Sequence, residues 1–384
     1  MTATFVTPEP DWAALRREFP ATARLAYLNI ASKGLLPRAV DAAMAEWMAD
    51  VNATGGETSF SMAEIEKTRR TVAETFGAPP ECVALIKNTT EGIAVVAGGF
   101  PWREGDNVVI SAPEHENNTF PWRRLAARGI EVRSATPDAT GRVTPDRYLP
   151  LIDARTRILS VAWVVYGNGY RADLAAIAAI CRARGVRLVV DGIQAVGVLD
   201  QRVDALGADV VVAGGHKAQM SLTGAGFMYV SPEMTALLEP PYAGKFSFTS
   251  NDRFRPTLEL APDAHRFEYG NPNFLGIHVQ RRSAEMIQAI GLGRIERRVE
   301  SLTTRLIEEA ERRQLRVRTP RPWAERAGHV SLDLGRHAGP VAEALRADGV
   351  IVSEKDGHLR ASVHFYNDDS DIDRFLDALV ARQR

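Results

Sequence analysis

The chain has 384 residues, a length that fits two domains or one large domain with an appendage. Its 47 lysines and arginines nearly balance 48 acidic residues. Composition therefore gives no support for nucleic acid or an anionic membrane as a partner, and small molecules are the expected ligands. The two cysteines, Cys82 and Cys181, exclude a disulfide scaffold and have no metal-ligand spacing. We expect buried structural thiols and no metal site.

Residues 1–11 lack the apolar core of a signal peptide. No apolar run in the chain approaches the ~20 residues that span a bilayer. Together with the cysteine usage, these features predict a soluble, cytoplasmic protein.

The middle of the chain alternates between short β-rich runs and longer helical ones. The predicted strands are Val83–Ile86, Asn107–Ser111, Glu131–Ser134, Arg157–Ala162, Arg187–Val190, Asp209–Ala213 and Gly226–Val230. The predicted helices between them are Glu91–Gly99, Asn117–Arg128 and Asp173–Arg184. This alternation, with continuous apolar runs in the strands, is typical of βαβ units and a mostly parallel sheet that is covered on both faces.

The pattern changes after about residue 276. The elements predicted there are a long helix over Ile277–Arg313, strands at His329–Asp333 and His358–Val363, a helix near Pro340–Asp348, and a last helix from Ser370. We predict an α/β fold with a large domain over residues 26–275 and a smaller α+β domain over 276–384. An N-terminal segment, 1–25, is predicted to pack with the smaller domain. Residues 246–265 have no clear period and are predicted to form a long connection near the site.

Four residues that follow two buried strands carry the strongest chemical signal. Asp191 and Gln194 follow one strand, and His216 and Lys217 follow the next one across a Gly-Gly turn. Because ligands of open α/β sheets bind at the carboxyl ends of the strands, an acid and an amine are expected to meet there. Pyridoxal 5′-phosphate (PLP) requires such a pair: a lysine that forms an imine with it, and an acid that keeps its pyridine nitrogen protonated.

Two further segments reach the same edge of the predicted sheet. Thr89 and Thr90 join a strand to a helix, so free N–H groups and a hydroxyl form an anion cup suited to the cofactor phosphate. His115 follows another strand, where its ring is placed to stack on the pyridine face.

With these residues, the chain resembles the class V aminotransferase group of fold-type I PLP enzymes, close to the cysteine desulfurase and cysteine lyase branch. The motifs that carry the resemblance are Asn88–Ile93, Glu114-His115 with Pro121-Trp122, Val190–Ala195, Gly215–Lys217, Arg266–Glu268 with Pro272-Asn273, and Arg360–Ser362. The resemblance covers nearly the whole chain from Tyr27-Leu28-Asn29 onward. It implies a homodimer with its sites near the subunit interface.

The resemblance also implies residue roles. Lys217 would carry the cofactor and His115 would stack on its ring, and these two are the predicted catalytic residues. The other predicted cofactor contacts are Asp191 at the pyridine nitrogen, Gln194 at the ring hydroxyl, Thr89, Thr90 and His216 at the phosphate, and Asn271 at the phosphate of the neighbouring subunit. The predicted substrate contacts are Arg360, whose planar guanidinium suits the α-carboxylate, Asn29 and Tyr166.

The chain departs from the family pattern near the site. The desulfurases carry a nucleophilic cysteine on a loop before the strand that holds the carboxylate arginine, yet residues 319–359 contain no cysteine. Gly214 stands where a phosphate-binding Ser or Thr is usual, Asn271 where a Thr is usual, and Tyr166 where an Asn is common. Sulfur transfer to an enzyme cysteine is therefore not expected.

The leading hypothesis is β-elimination from an S-substituted cysteine or related amino acid, in specialised metabolism, because this reaction needs no active-site cysteine. The alternatives for the same site are decarboxylating oxidative deamination, epimerisation and transamination of an amino acid. A PLP-binding regulator without turnover and a sugar aminotransferase, which would not need Arg360, are further alternatives. Trp122, Tyr166 and Phe248 are candidates for lining the substrate pocket, although Trp122 fits the core at least as well.

Overall fold

The computed structural model describes residues 9–250 and 252–382. Most of the segment predicted not to be a signal peptide lies outside these ranges. Within them, no helix combines the length and the apolar character that a membrane span requires.

The elements of the described residues follow the alternation expected from the sequence. The strands are β1 (Ala26–Tyr27), β2 (Val83–Ile86), β3 (Asn107–Ser111), β4 (Glu131–Ala135), β5 (Thr156–Ala162), β6 (Arg187–Asp191), β7 (Val210–Gly214), β8 (Gly226–Val230), β9 (His329–Asp333), β10 (Val350–Ile351), β11 (Ser353–Lys355) and β12 (His358–Ser362). The α-helices are α1 (Trp12–Arg17), α2 (Arg38–Thr54), α3 (Met62–Phe76), α4 (Thr89–Gly99), α5 (Glu116–Arg123), α6 (Leu174–Arg184), α7 (Pro232–Leu237), α8 (Phe274–Ile290), α9 (Leu292–Arg312), α10 (Ala338–Ala347) and α11 (Asp369–Ala381).

A seven-stranded sheet in the order β2-β8-β7-β6-β5-β3-β4 forms the centre of the fold. Neighbouring strands from β7 to β4 run parallel, and β8 is antiparallel to both β2 and β7. The mostly parallel sheet of an α/β protein is therefore confirmed. Because β3, β5, β6 and β7 run parallel, their carboxyl ends meet at one edge, and the residues that follow them are brought together.

The sheet separates two apolar clusters. Alternate residues of β3 belong to opposite clusters, with Val108 in one and Val109 in the other. The first cluster includes Ile93 of α4, and the second extends through α6 to Phe365 near the chain end. Packing on both faces explains why the strands are continuous apolar runs.

The C-terminal part adds a second sheet and contacts the start of the chain. Strands β11, β12 and β9 form an antiparallel sheet in that order, and β1 pairs with β10 in parallel. Arg16 Nη1 donates to Asp371 Oδ2 at 2.6 Å, and the rings of Phe19 and Tyr366 lie 4.5 Å apart. The domain boundaries after residues 25 and 275 stay a prediction.

The hairpin between β11 and β12 has a two-residue turn. Lys355 pairs with His358, and the turn residues Asp356 and Gly357 have φ values of 51° and 78°. Positive φ at both central positions is the geometry of the turn that matches the natural twist of paired strands, and an Asp-Gly sequence favours it. The segment just before Arg360 is therefore a tight hairpin.

Two predicted elements differ in the structure. The predicted helix over residues 277–313 consists of α8 and α9, because Gly291 between them has φ 90° and ends the first helix. The predicted helix 117–128 is α-helical only to Arg123 and continues as a 3₁₀ helix over Arg124–Arg128. The described residues of the segment 246–265 contain one bridge, Phe248 to Leu260, and the start of a short 3₁₀ turn, as expected for a connection.

Candidate active site

A cavity of about 260 Å³ opens at the carboxyl ends of β3, β5, β6 and β7. It is lined by Ala31, Ser32, Asn88, Thr89, Glu114, His115, Asn117, Ala162, Val164, Tyr166, Asp191, Ile193, Gln194, His216, Lys217, Lys355 and Arg360. A larger cavity of about 810 Å³ contains none of the predicted site residues, and its Arg142 and Arg171 already pair with Glu325 and Glu296. The chemistry therefore points to the smaller cavity as the candidate site.

The turn that carries Lys217 is fixed on both sides by backbone contacts. Gly34 N–H donates to the carbonyl of His216 at 2.8 Å, and Met220 N–H donates to the carbonyl of Lys217 at 2.8 Å. A Cβ atom on Gly34 would lie 2.3 Å from the Lys217 carbonyl oxygen, so only glycine permits this close approach. The N-terminal loop thus holds the lysine turn against the sheet edge.

The charge state of Lys217 is controlled by its surroundings. Burial lowers the pKa of Lys217 to about 8, with Arg360 and Lys355 acting in the same direction. The nearby carboxylates of Asp191 and Glu114 oppose this shift. A substantial fraction of the amine is therefore neutral near physiological pH, which a nucleophile or general base requires.

We expect chemical labelling to report this pKa in cofactor-free protein. Reductive methylation of Lys217 rises with pH with a midpoint near pH 8, because only the neutral amine reacts. An ordinary lysine has a pKa of about 10.4. Mass spectrometry of the peptide that contains Lys217 measures the midpoint. The Asp191→Asn variant removes a negative charge that favours the ammonium form of Lys217, so the midpoint of labelling should move to lower pH. A wild-type midpoint near pH 10, as for an ordinary lysine, would contradict the lowered pKa of Lys217.

Two buried carboxyl groups face Lys217. Asp191 ends β6, and its Oδ1 accepts from the N–H of Ile193 at 3.0 Å; burial raises the pKa of Asp191 to about 6. Burial together with the charge of Asp191 raises the pKa of Glu114 to about 8. Its Oε1 accepts from the N–H of His115 at 2.8 Å, whereas Oε2 has no hydrogen-bond partner among the described residues. The sequence motif contained Glu114, but its place beside Lys217 was not predicted.

The start of α4 supplies an anion cup at the pocket wall. Asn88 caps the helix by accepting from the N–H of Glu91 at 2.9 Å, and the N–H groups of Thr89 and Thr90 have no intrahelical acceptor. The Thr89 hydroxyl lines the pocket and accepts from Gly214 N–H at 3.1 Å. Thr90 is adjacent but does not line the pocket. An anion bound here would meet the positive end of the helix dipole.

Steric crowding by the ring of His216 explains why residue 214 is a glycine in this chain. A Cβ atom on Gly214 would lie 3.3 Å from Nδ1 of His216, so a larger residue would crowd that ring. Burial and the neighbouring lysines, Lys217 and Lys33, lower the pKa of His216 to about 4. His216 is therefore a neutral ring that can donate one hydrogen bond to a phosphate oxygen.

Arg360 presents a buried guanidinium to the other side of the cavity. Nη1 donates to the carbonyl of Tyr166 at 2.7 Å, and Nη2 donates to Ser32 Oγ at 2.8 Å. Nε donates to Ser353 Oγ at 3.2 Å. Burial lowers the pKa of Arg360 to about 10, so the group keeps its charge. Within the described ranges all three partners are neutral, and the charge is available to an anionic ligand.

The remaining predicted residues divide into two groups. Gln194 lines the pocket and donates from Nε2 to the carbonyl of Ala31 at 3.0 Å. His115 begins α5, and its ring lies 5.5 Å from that of Tyr166 at 83°. Burial lowers the pKa of His115, with Lys217 acting in the same direction.

The residues that the structure does not bring into this pocket are Asn29, Thr90, Asn271, Trp122 and Phe248. Asn29 bridges to Ser362 in the backbone, and its Oδ1 is buried without a partner in the described chain. Asn271 is exposed and lines a separate cavity, so its predicted role at a neighbouring subunit stays a prediction. Trp122 is fully buried in the core and donates to Ser160 Oγ at 3.1 Å. Trp122 thus takes the core position that fitted its sequence at least as well, and Phe248 does not line the pocket, whereas Tyr166 does.

The pocket fits PLP. It contains a lysine with a lowered pKa, a buried carboxyl group for the pyridine nitrogen, and a helix N-terminus with a neutral histidine for the phosphate. Glu114 Oε2, which has no hydrogen-bond partner among the described residues, offers a further polar contact to a bound group. These features, on a mostly parallel sheet with a smaller C-terminal part, define a PLP-dependent enzyme of fold type I.

Comparison with known proteins identifies the family. A model described as aminotransferase class V matches residues 26–375, and the chain belongs to this family. It is 31% identical to a cysteine desulfurase from Cronobacter sakazakii, over 96% of this chain and 98% of that protein. It is 32% identical to a probable cysteine desulfurase from Methanothermobacter thermautotrophicus, over 76% of this chain and 74% of that one.

Solved structures give the same fold. The apo structure of a cysteine desulfurase from Thermococcus onnurineus NA1 aligns with a TM-score of 0.88 at 27% identity, covering 98% of each chain. The structure of the cystine C–S lyase C-DES with its product cysteine persulfide aligns with a TM-score of 0.87 at 22% identity, over 94% of this chain and 99% of that chain. The predicted fold, family and cofactor are confirmed.

Proposed function

We propose that this protein is a C–S lyase that performs β-elimination on an S-substituted cysteine. The observation that carries the proposal is the β11–β12 hairpin. Its two-residue turn, Asp356-Gly357, occupies the chain segment before Arg360, where the resemblance to desulfurases leads one to expect the cysteine loop. The cofactor and carboxylate groups are retained beside it, so the reaction can begin but sulfur has no enzyme thiol to which it can pass.

The two cysteines of the chain support this conclusion. Cys82 and Cys181 are free and buried, and neither lines the candidate site. Burial raises the pKa of Cys82 to about 11 and that of Cys181 to about 12. Because the thiolate is the form that accepts sulfur, neither group is suited to a persulfide.

The proposed reaction uses the groups that surround the pocket. PLP, when bound, withdraws electron density from the substrate α-carbon. Arg360 holds the α-carboxylate, and the Lys217 amine removes the α-proton as general base. The Cβ–S bond then breaks, and the thiol leaves with a proton. The remaining fragment reacts with one water to give pyruvate and ammonium. Atoms and charge balance for the thioether substrate: R–S–CH2–CH(NH3+)–COO− plus water yields RSH, pyruvate and ammonium.

The test measures all products together. With S-substituted cysteines, we expect pyruvate, ammonia and thiol in equal amounts, with no carbon dioxide or peroxide. Carbon dioxide or peroxide without pyruvate would replace the proposal by a decarboxylating deaminase. If the protein binds PLP but converts no amino acid, the alternative of a PLP-binding regulator without turnover would be favoured instead.

Three finer features of the proposal concern its setting. We infer a homodimer, in which the exposed Asn271 reaches the phosphate of the neighbouring subunit. A cytoplasmic location accords with two free, buried thiols. A role in specialised metabolism accords with the altered residues at the cofactor and the pocket mouth, such as Gly214 and Tyr166. Analytical ultracentrifugation of the holoenzyme tests the dimer.

A further inference from the structure

Lys355 reaches the candidate site from the tip of the β11–β12 hairpin, and its cationic role was not foreseen from the sequence. It lines the same cavity as Lys217 and Arg360. Its charge acts to lower the pKa of Lys217 and of His115, so it acts electrostatically on both groups. Lys355 is therefore a third cationic side chain at the pocket, in addition to Lys217, the proposed base, and Arg360, the proposed carboxylate contact.

The acidic residues near Lys355 have other partners. Asp356 Oδ2 accepts from the hydroxyl of Tyr166 at 3.0 Å, and Glu354 Oε1 accepts from the N–H of Gly357 at 2.8 Å. Within the described ranges, no acid pairs with Lys355. The half-buried ammonium is therefore available for a charge-assisted hydrogen bond to an anionic ligand.

The hairpin register gives the spacing between the two binding cations. Ser353 pairs directly with Arg360 and accepts from its Nε, so the two side chains share one face. Lys355 lies two residues further along the same strand and on that same face. Two residues of a strand span about 7 Å. The backbone of β11 thus places Lys355 roughly one short side-chain length along the strand from the residue that faces Arg360, and both cations line the cavity.

We propose that Lys355 binds a second acidic group of the substrate, carried on the sulfur substituent one or two carbon atoms beyond the sulfur. The substrate class is then an S-carboxyalkyl cysteine or a close anionic analogue. This inference rests on the proposed lyase function, because it assigns the leaving group of that reaction. Arg360 binds the carboxylate that all amino acids share, and Lys355 selects the substituent.

The experiment compares a matched pair of substrates. S-carboxymethylcysteine and S-carbamoylmethylcysteine have nearly the same shape and differ in charge. In the wild-type holoenzyme we expect kcat/KM for pyruvate release to favour the acid about tenfold or more, as a charge-assisted hydrogen bond implies. Lys355→Met should lower this acid-to-amide ratio about tenfold, and Lys355→Glu should favour S-(2-aminoethyl)cysteine over both. Lys67→Met is the control, since Lys67 is exposed on α3 and does not line the pocket.

Binding is measured separately from turnover. Calorimetry of the holoenzyme with adipate and with its monoamide should show tighter binding of adipate, and Lys355→Met should remove the difference. Equal kcat/KM for the two substrates, or an unchanged ratio in Lys355→Met, overturns the inference and leaves the lyase proposal standing. If no cysteine conjugate releases pyruvate, the lyase proposal fails, and the adipate comparison alone still decides whether Lys355 binds a second acid.

Discussion

Replacing Lys217 with alanine should lower kcat for pyruvate release by about 10³-fold or more, while the protein stays folded. General acid–base catalysis by a positioned side chain contributes about 10²–10⁴-fold, and in the proposed reaction Lys217 both links the cofactor and moves the α-proton. Its lowered pKa, about 8, leaves part of the amine neutral near physiological pH, as a base requires. The turn around it depends on backbone contacts, so the side chain can be removed without loss of the turn.

Chemical rescue separates this role from a structural one. A small amine such as methylamine should restore part of the activity of Lys217→Ala. Lys67→Ala, the matched exposed control, should keep the wild-type activity and should not respond to the amine. Circular dichroism and thermal melting check that both variants fold. Activity within tenfold of the wild type in Lys217→Ala would contradict the assignment of Lys217 as base.

Burial explains how well the central strands were predicted. The observed β2, β3 and β8 have the predicted bounds. Strands that are covered on both faces form continuous apolar runs, and the ends of these runs mark the ends of the strands. Helix bounds were less certain. The stretch from 277 to 313 has helical character throughout, and only the φ of Gly291 divides it. A single glycine within a helical pattern is often tolerated, so the sequence alone did not predict a break there.

The helices α2 and α3 were missed although their signals are present. Gly55 and Gly77 follow them with φ of 78° and 71°, and Ser61 caps the second by accepting from Ala63 N–H. Glycine just after a helix and serine just before it are common end signals. Both helices lie between β1 and the first predicted strand, Val83–Ile86, in a region without a motif for the chemistry of the site.

Sheet topology predicts the site residues that follow strands, whereas Arg360, which lies within β12, was predicted from the family resemblance. Asp191 and Lys217 end or follow parallel neighbours, so their proximity follows from topology. Ser32 meets Arg360 across 328 residues, and no local pattern encodes that contact. Lys355 depends on the register of a hairpin whose first strand is three residues long. The Asp-Gly turn was a usable signal for this hairpin, since it precedes the strand that was predicted.

Replacing Arg360 with alanine should raise KM and lower kcat/KM by about 10–100-fold for substrates with a free α-carboxylate. The guanidinium is buried, charged and bonded only to neutral groups among the described residues, so the substrate carboxylate would be its one ionic partner. A charge-assisted hydrogen bond contributes about 1.5–3 kcal/mol, which corresponds to this range. Arg360→Lys should recover only part of the loss, since a lysine cannot form the planar fork.

An α-carboxamide substrate separates lost recognition from lost packing. Wild-type enzyme should discriminate against the amide, and Arg360→Ala should treat acid and amide nearly alike. Arg326→Ala is the matched control, because Arg326 is another buried arginine that donates to the hydroxyl of Thr304 and lies outside the pocket. It should lower the melting temperature without changing the acid-to-amide ratio. If Arg360→Ala leaves kcat/KM unchanged, the α-carboxylate binds elsewhere, and a sugar amine, which carries no α-carboxylate, becomes the better substrate class.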